Sequence, residues 1–301
     1  MFAAHRTYHL REGWIWKGLN TVARQDTQTH NVFLSPDAPE RFGIGPAMVA
    51  AMRFWLQAVG LLNEHPSRHR GRAVTLTDFG RLIWQADPYL EQVETIWLLH
   101  LHLVKNRRLA PVWFWFFNSY VSARPFDLLT CLDILHRWAI ASFPDREITR
   151  ESLDKDLACL TRMYDGTKQA SSPEDGSQSP FARLHLLTYQ QMHRERQYRL
   201  LPPDFDRLSP FVLLYVLVAK QAEVRRETFH VTLLDALYEP GNVGRVVPLL
   251  SRTTLLEGLM DLRELAPEWC VKLAQHEGRE ALALPSCSPE QILLRAYQKG
   301  W

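Results

Sequence analysis

The chain has 301 residues, of which 46% are hydrophobic and 23% charged, and its formal net charge is +2. This balance is typical of a globular protein of two or three domains and excludes a disordered chain, while the low net charge restricts any binding of nucleic acid to local basic clusters. The chain shows no apolar run long enough to cross a membrane, no secretory signal and no CxxC pair among its four cysteines. We therefore expect a cytoplasmic protein with free thiols.

The first 26 residues predict a short helix docked by its aromatic side chains. Trp14, Trp16, Leu19 and Val22 can line part of this helix, and several basic side chains surround it. One interpretation is direct contact with nucleic acid, and the other is a solvated basic face. The candidate DNA contacts in this segment are Arg6, Arg11 and Lys17.

Residues 41–77 are typical of a winged helix-turn-helix. A glycine-containing turn at residues 43–45 precedes a helical segment from about residue 46 to residue 59, whose apolar residues recur at steps of three and four. The loop at residues 65–72 contains three arginines, two histidines and no acid, and Thr77 is a natural cap for the next helix.

In such a fold the exposed helix enters the major groove and the basic wing meets phosphates. Winged helices also bind proteins, so the pattern leaves both kinds of partner open. The candidate DNA contacts in this segment are Arg53, Arg68, His69, Arg70 and Arg72.

Residues 84–124 predict apolar helices, including a buried one formed by the aromatic run at residues 110–123. A helix start is predicted at Asp87, and the spacing would then place Asp87, Glu91 and Glu94 on one helix face. Converging carboxylates can hold a divalent ion such as Mg²⁺ in a nuclease, which makes these three residues weak catalytic candidates. The alternative is that they only favour the helix dipole.

Two further helix-and-hairpin patterns follow. In the first, a helix capped by Thr149 precedes a Ser- and Gly-rich loop at residues 166–180 and two short strands, whose basic turn contributes the candidate DNA contacts Arg194 and Arg196. The alternative is that this basic turn is only solvated surface. In the second, helices at residues 208–224, 231–238 and 252–262 precede a hairpin with its tip at residues 276–278, and a last helix is capped by Ser288.

We therefore predict a mainly α (α+β) fold, in which winged helix-turn-helix units with short β-hairpin wings are joined by an aromatic-rich helical region. The predicted domains are a DNA-binding domain at residues 1–88, a helical core with a second winged unit at 89–207, and a C-terminal helical domain with a hairpin at 208–301. The chain contains no Walker loop, no GxSxG elbow and no HExxH motif, so no standard catalytic signature marks an active site.

Several segments occur in an order that resembles one bacterial family: HRTYHLREGWIWKG, FGIGPAMVAAMRFWLQAVGLL, LTDFGRLIWQADPYLEQVETIWLLHLHLV, APVWFWFFN, SPFARLHLL and YEPGNVGRVVPLL. This is a domain-of-unknown-function family that includes the SspB proteins of DNA phosphorothioation systems. The resemblance implies a DNA-nicking protein that acts in phage defence beside a cysteine desulfurase and ATP-using partners. It assigns no catalytic residue. A non-enzymatic DNA-binding adaptor that positions the sulfur-transfer partners and a protein-interaction scaffold remain as alternatives.

Overall fold

The computed structural model describes residues 2–24, 31–67, 71–121, 123–165, 178–192, 195–205, 208–224 and 229–301. The chain divides into two compact units, one formed by Met1–Trp115 with Arg124–Arg199 and the other by Phe116–Ala123 with Leu200–Trp301. The predicted division into three domains differs from these units in its boundaries and stays a prediction. No helix among the described residues is both long and apolar enough to span a bilayer.

The first unit is built from helices and two β-hairpins. Its helices are α1 Glu12–Ala23, α2 Ala38–Phe42, α3 Pro46–Ala58, α4 Asp78–Ala86, α5 Val93–Lys105, α6 Pro111–Trp115, α7 Leu128–Ser142 and α8 Arg150–Tyr164. One hairpin is formed by β1 Leu62–Pro66 and β2 Arg72–Leu76, and the other by β3 Leu187–Met192 and β4 Glu195–Leu200. Short 3₁₀ turns lie at Val32–Leu34 and Pro180–Leu184.

The second unit combines helices with one small antiparallel sheet. Its helices are α9 Pro210–Val224, α10 Leu233–Tyr238, α11 Val243–Val246, α12 Arg252–Met260, α13 Leu262–Leu265 and α14 Pro289–Lys299, beside a π-helical turn at Phe116–Tyr120 and a 3₁₀ turn at Pro267–Trp269. The sheet has the strands β5 His230–Thr232, β6 Lys272–His276 and β7 Arg279–Ala283 in the order β5-β7-β6. The α+β class predicted from the sequence is confirmed.

An aromatic cluster forms the centre of the first unit. Trp55 and Trp113 are fully buried and meet edge to face, with their ring centroids 5.1 Å apart. The Trp55 indole N–H donates to the carbonyl of Tyr8 at 2.8 Å, so the polar atom of this buried side chain has a partner. Trp113 and Trp115 of α6 are buried, as predicted, but the helix ends at Trp115 and does not extend over the whole predicted run.

A buried hydrogen bond between His5 and Asp156 connects the N-terminal segment to helix α8. His5 Nε2 lies 2.7 Å from an Asp156 carboxylate oxygen, and the amide of Ala3 donates to the same carboxylate at 3.1 Å. The amide of Thr7 donates to His5 Nδ1, so Nδ1 is the acceptor and the hydrogen sits on Nε2, which donates to Asp156. The pair is inaccessible to solvent, and its role is to hold the chain start against α8.

Helix α3 and the hairpin that follows it form one continuous element. The strands β1 and β2 are antiparallel, with Leu62 opposite Leu76 and Pro66 opposite Arg72. The Thr77 hydroxyl then accepts the amide of Gly80 at 2.8 Å and caps α4, as the sequence predicts. A Cβ at Gly80 would lie 2.1 Å from the carbonyl oxygen of Leu61, so only glycine lets α4 pack this closely on the hairpin.

The sheet of the second unit contains a strand that the sequence pattern did not indicate. The predicted helix at residues 231–238 is wrong over its first two residues, which pair in β5 with β7; Val231 lies opposite Leu282. Thr232 ends that strand and caps α10 by accepting the amide of Asp235. The hairpin tip lies at Glu277 and Gly278, both with positive φ, which matches the two-residue turn of a tight hairpin.

Candidate nucleic-acid interface

Helix α3 buries one face and exposes its first turn. Val49 and Trp55 are fully buried, whereas Pro46 and Ala47 are exposed. Pro46 occupies the first helical position, where its missing N–H costs no helical hydrogen bond. Small side chains at this exposed end leave room for another surface to approach the backbone closely.

A buried carboxylate links α3 to the hairpin. The Glu64 side chain is only 3% exposed, and it accepts hydrogen bonds from Arg53 Nε, Arg53 Nη2 at 2.7 Å and Arg72 Nε at 2.9 Å. The amide groups of Asn31 and Gln57 donate to the same carboxylate at 2.7 and 3.2 Å. Two cations and two neutral donors therefore converge on one acid.

The charge state of Glu64 follows from these contacts. Burial by itself would raise the pKa of the Glu64 carboxyl, but the hydrogen bonds from Arg53 and Asn31 and the charges of Arg53 and Arg72 outweigh it. The pKa lies below the ordinary value, and the carboxylate is ionised at neutral pH. Because two guanidinium groups share one carboxylate, the cluster carries a net positive charge.

The two arginines differ in what they can still bind. Arg53 gives two nitrogens to Glu64 and its side chain is 26% exposed. Arg72 bonds Glu64 through Nε, and its side chain is 56% exposed. A guanidinium held through Nε can still direct its terminal nitrogens to a phosphate, so Arg72 is a suitably oriented anion contact.

The predicted basic residues of the N-terminal segment lie in different settings. Arg6 is exposed. The Arg11 guanidinium lies over the Trp14 ring, 5.3 Å from its centroid, and Lys17 Nζ donates to the carbonyl of Phe42 at the end of α2 at 3.2 Å. Arg11 and Lys17 thus have local packing partners, whereas Arg6 faces solvent.

The predicted wing residues are only partly within the described structure. Arg68, His69 and Arg70 lie outside the described residues, as does Arg194 of the other hairpin. Arg196 is described: it is exposed on β4, and its guanidinium lies 4.5 Å from the ring centroid of Tyr189. The structure brings together Arg53 and Arg72 and places Arg196 on a different hairpin.

The three acidic candidates do not share a helix face. The predicted helix start at Asp87 is wrong, because Asp87 follows the end of α4 and α5 begins only at Val93. The buried Asp87 carboxylate accepts the amides of Glu91 at 2.8 Å and Gln92 at 3.2 Å, so it stabilises the turn between the two helices. Burial, followed by the nearby charge of Asp87, raises the pKa of Glu94.

The part of the chain that the structure describes contains no cluster of side chains that fits a magnesium ion. None of the described His, Cys, Asp and Glu side chains form a group of three or more that could hold a metal ion. Asp87 in particular has both carboxylate oxygens engaged by backbone amides. We therefore assign no chemical step to a metal.

Glu64, which links α3 to the hairpin, is not among the residues predicted from the sequence. Its partner Asn31 lies 33 residues away in the sequence, whereas Arg72 lies eight residues away on the opposite strand of the hairpin. The alternation of β1 could have revealed it: Leu62 is buried, and residues two apart on a strand face the same side. An acid on the inner face of a strand indicates a buried cationic partner.

Comparison with known proteins identifies the family of this chain. The model of a family described as a protein of unknown function (DUF4007) matches residues 2–297. A solved structure described as magnesium ion-bound SspB is 26% identical, with a TM-score of 0.85, and the match covers 99% of this chain and 88% of that one. A second SspB crystal structure is 27% identical, with a TM-score of 0.84 and the same coverage. No curated protein matches the chain. The chain belongs to the DUF4007 family, and its fold is that of SspB.

Proposed function

We propose that this protein binds duplex DNA through its first unit and nicks one strand in support of DNA phosphorothioation in an SspB-type phage-defence system. The observation that carries the proposal is the cluster in which buried Glu64 orients Arg53 and Arg72 beside helix α3. The similarity to SspB supports the role in such a system. Its partners would be the sulfur-transfer and ATP-using proteins of the same system.

The distribution of charge supports the choice of the first unit. That unit carries 24 Lys and Arg against 20 Asp and Glu, whereas the second unit carries 11 against 13. The excess of cations therefore resides in the unit that contains the Arg53–Glu64–Arg72 cluster. An anionic duplex is attracted to a basic region and not to a weakly acidic one.

The element α3–β1–β2 would bind in the manner of a winged helix. The exposed first turn of α3, with Pro46 and Ala47, would enter a groove, and the hairpin would lie along the backbone. Arg72 would contact a phosphate while its Nε bond to Glu64 fixes its direction. Arg53 would act mainly as the inner partner that keeps Glu64 ionised.

A DNA-binding adaptor without nicking activity is the second candidate function. The observation that favours it is the position of Asp87, whose two oxygens hold backbone amides and do not converge with Glu91 and Glu94 on one helix face. Such an adaptor would hold DNA for the sulfur-transfer partners. It would use the same Arg72 contact.

A supercoiled-plasmid assay with and without Mg²⁺ separates the candidates. We expect the protein to convert supercoiled plasmid to the open-circular form at catalytic concentrations. We also expect the same protein to shift linear duplex DNA in a gel. A gel shift with persistently supercoiled plasmid would support the adaptor. A protein that neither shifts duplex DNA at low salt nor nicks the plasmid would contradict both.

A further inference from the structure

Two arginines from different loops of the first unit converge on one aromatic ring. The Cζ atoms of Arg107 and Arg146 lie 5.7 and 5.2 Å from the ring centroid of Phe143, within the range of a cation–π contact. The two guanidinium groups are therefore at most about 11 Å apart, the sum of the two distances, and repel each other. Both arginines are exposed, so an anion from solution can reach them and relieve this repulsion.

The loop after α7 places Arg146 beside Phe143 through a four-residue turn. The sequence FPDR at residues 143–146 has proline at the second position, where a turn suits its fixed φ. The Arg146 amide donates to the Phe143 carbonyl at 3.1 Å and closes the turn. The Phe143 ring makes edge contacts with the rings of Phe2 and Trp138, at centroid distances of 5.6 and 5.8 Å. The ring is thus a fixed support for the guanidinium groups.

The turn between α5 and α6 carries Arg107 and connects it to α3. Asn106, the residue before Arg107, donates from Nδ2 to the carbonyl of Ala58 at the end of α3, at 3.1 Å. Arg107 also lies over the Phe114 ring of α6, 5.8 Å from its centroid. Five residues separate Ala58 from Arg53, which is about 7.5 Å of helix rise. The basic turn therefore lies close to the helix that supplies Arg53 to the Arg53–Glu64–Arg72 cluster.

Neither guanidinium has a carboxylate partner within the described ranges of the chain. The side-chain contacts of Arg107 and Arg146 there are with aromatic rings, and the two acids that flank Arg146 in the sequence form no ion pair with it. Arg150, four residues further on, instead lies 2.5 Å from an Asp133 carboxylate oxygen. A ring attracts a guanidinium through its π-electrons and supplies no oxygen acceptor, so the N–H donors of Arg107 and Arg146 remain for an anion.

We propose that Arg107 and Arg146 form a second contact of the first unit with the phosphate backbone of duplex DNA. The inference rests on the proposed DNA binding and adds a surface to it. Guanidinium groups pair well with phosphate oxygens, and duplex DNA carries one negative charge about every 1.7 Å of its axis, so each of the two cations can meet a phosphate. Phe143 is a positioning residue that holds both cations. The contact adds affinity without base preference, because it involves phosphates alone.

The test measures how the affinity of the full chain for a short fluorescent duplex depends on salt. The double variant Arg107→Gln/Arg146→Gln should reduce the slope of log K against log salt by about 1.8, since two phosphate contacts are lost at about 0.9 each. Arg107→Lys/Arg146→Lys keeps both charges and should retain the wild-type slope. Arg150→Gln is the matched control, because it removes a nearby exposed arginine that Asp133 already neutralises, and it should leave the slope unaltered.

An unaltered slope in a folded glutamine double variant, an equal loss with Arg150→Gln, or a lysine double variant with the slope of the glutamine one would overturn the proposal. Poly-glutamate that competes with the labelled duplex as strongly as unlabelled DNA does would assign the surface to an acidic protein, and it would overturn the proposal too.

The Arg72→Gln protein, measured in the same series, separates this inference from the proposed function. A slope that falls with Arg72→Gln but not with the glutamine double variant would contradict the second surface alone. A slope that falls only with the double variant would support the second surface and contradict the contact at Arg72. A wild-type protein that does not bind duplex DNA would contradict both.

Discussion

Two helix-and-hairpin elements each contain an Arg–Glu ion pair, and the two pairs differ in how far they are exposed to solvent. In the first unit, Glu64 is 3% exposed and is shared by two arginines. In the second unit, Arg252 of α12 and Glu280 of β7 form a two-bond pair, but their side chains are 49% and 44% exposed. The same residue types therefore form a buried carboxylate shared by two arginines in one element and a solvated ion pair in the other.

The difference indicates which pair can orient a ligand contact. An exposed ion pair is screened by water and contributes little to stability, so it does little to fix the positions of its side chains. A buried carboxylate requires its cations, and the geometry around it is correspondingly restricted. We infer that Glu64 organises a binding surface, whereas the Arg252–Glu280 pair is an ordinary surface ion pair.

The largest expected effect is the loss of stability on removing the buried charge. Glu64→Gln should lower the free energy of unfolding by about 3 kcal/mol, because two arginines lose their shared counter-ion. Glu280→Gln, the matched change in the exposed pair, should lower the free energy of unfolding far less. Urea denaturation followed by tryptophan fluorescence measures both. Equal losses would remove the distinction between the two elements.

The next effect separates the two arginines of the cluster. Arg53→Gln should cost about 2 kcal/mol, since Glu64 then keeps only the more exposed cation. Arg72→Gln should cost less than about 1 kcal/mol, because Arg53 still neutralises the carboxylate. The same urea series tests this order. A larger loss for Arg72→Gln would show that Arg72, and not Arg53, is the inner partner.

A smaller effect is expected from acid. The folded-state pKa of Glu64 is lowered, so its contribution to stability is present above the ordinary glutamate value of about 4.3 and is lost as the pH falls through the folded value. Stability should therefore decrease more between about pH 6 and pH 3 in the wild type than in Glu64→Gln, which has no carboxyl to protonate. Parallel pH curves for the two proteins would contradict the lowered pKa.

Local signals in the sequence located element ends but not the interface. Thr77 and Ser288 cap their helices as predicted, because a cap needs only a hydroxyl and the amide three residues on. The predicted helix start at Asp87 is wrong, since an acid before an apolar run resembles a helix start whether its carboxylate caps that helix or closes a turn. The inward position of Glu64 follows from the alternation of β1, but Asn31 and Arg53 reach its carboxylate only when the first unit has folded.

The salt dependence of duplex DNA binding tests the account most directly. Each phosphate contact contributes about 0.9 to the slope of log K against log salt, so Arg72→Gln should reduce the slope by about that amount and weaken binding at low salt by about tenfold. Arg252→Gln, which changes the exposed pair of the second unit, should leave both quantities unaltered. An unchanged slope for Arg72→Gln, or equal losses in the two variants, would contradict the Glu64-oriented arginine as the DNA contact.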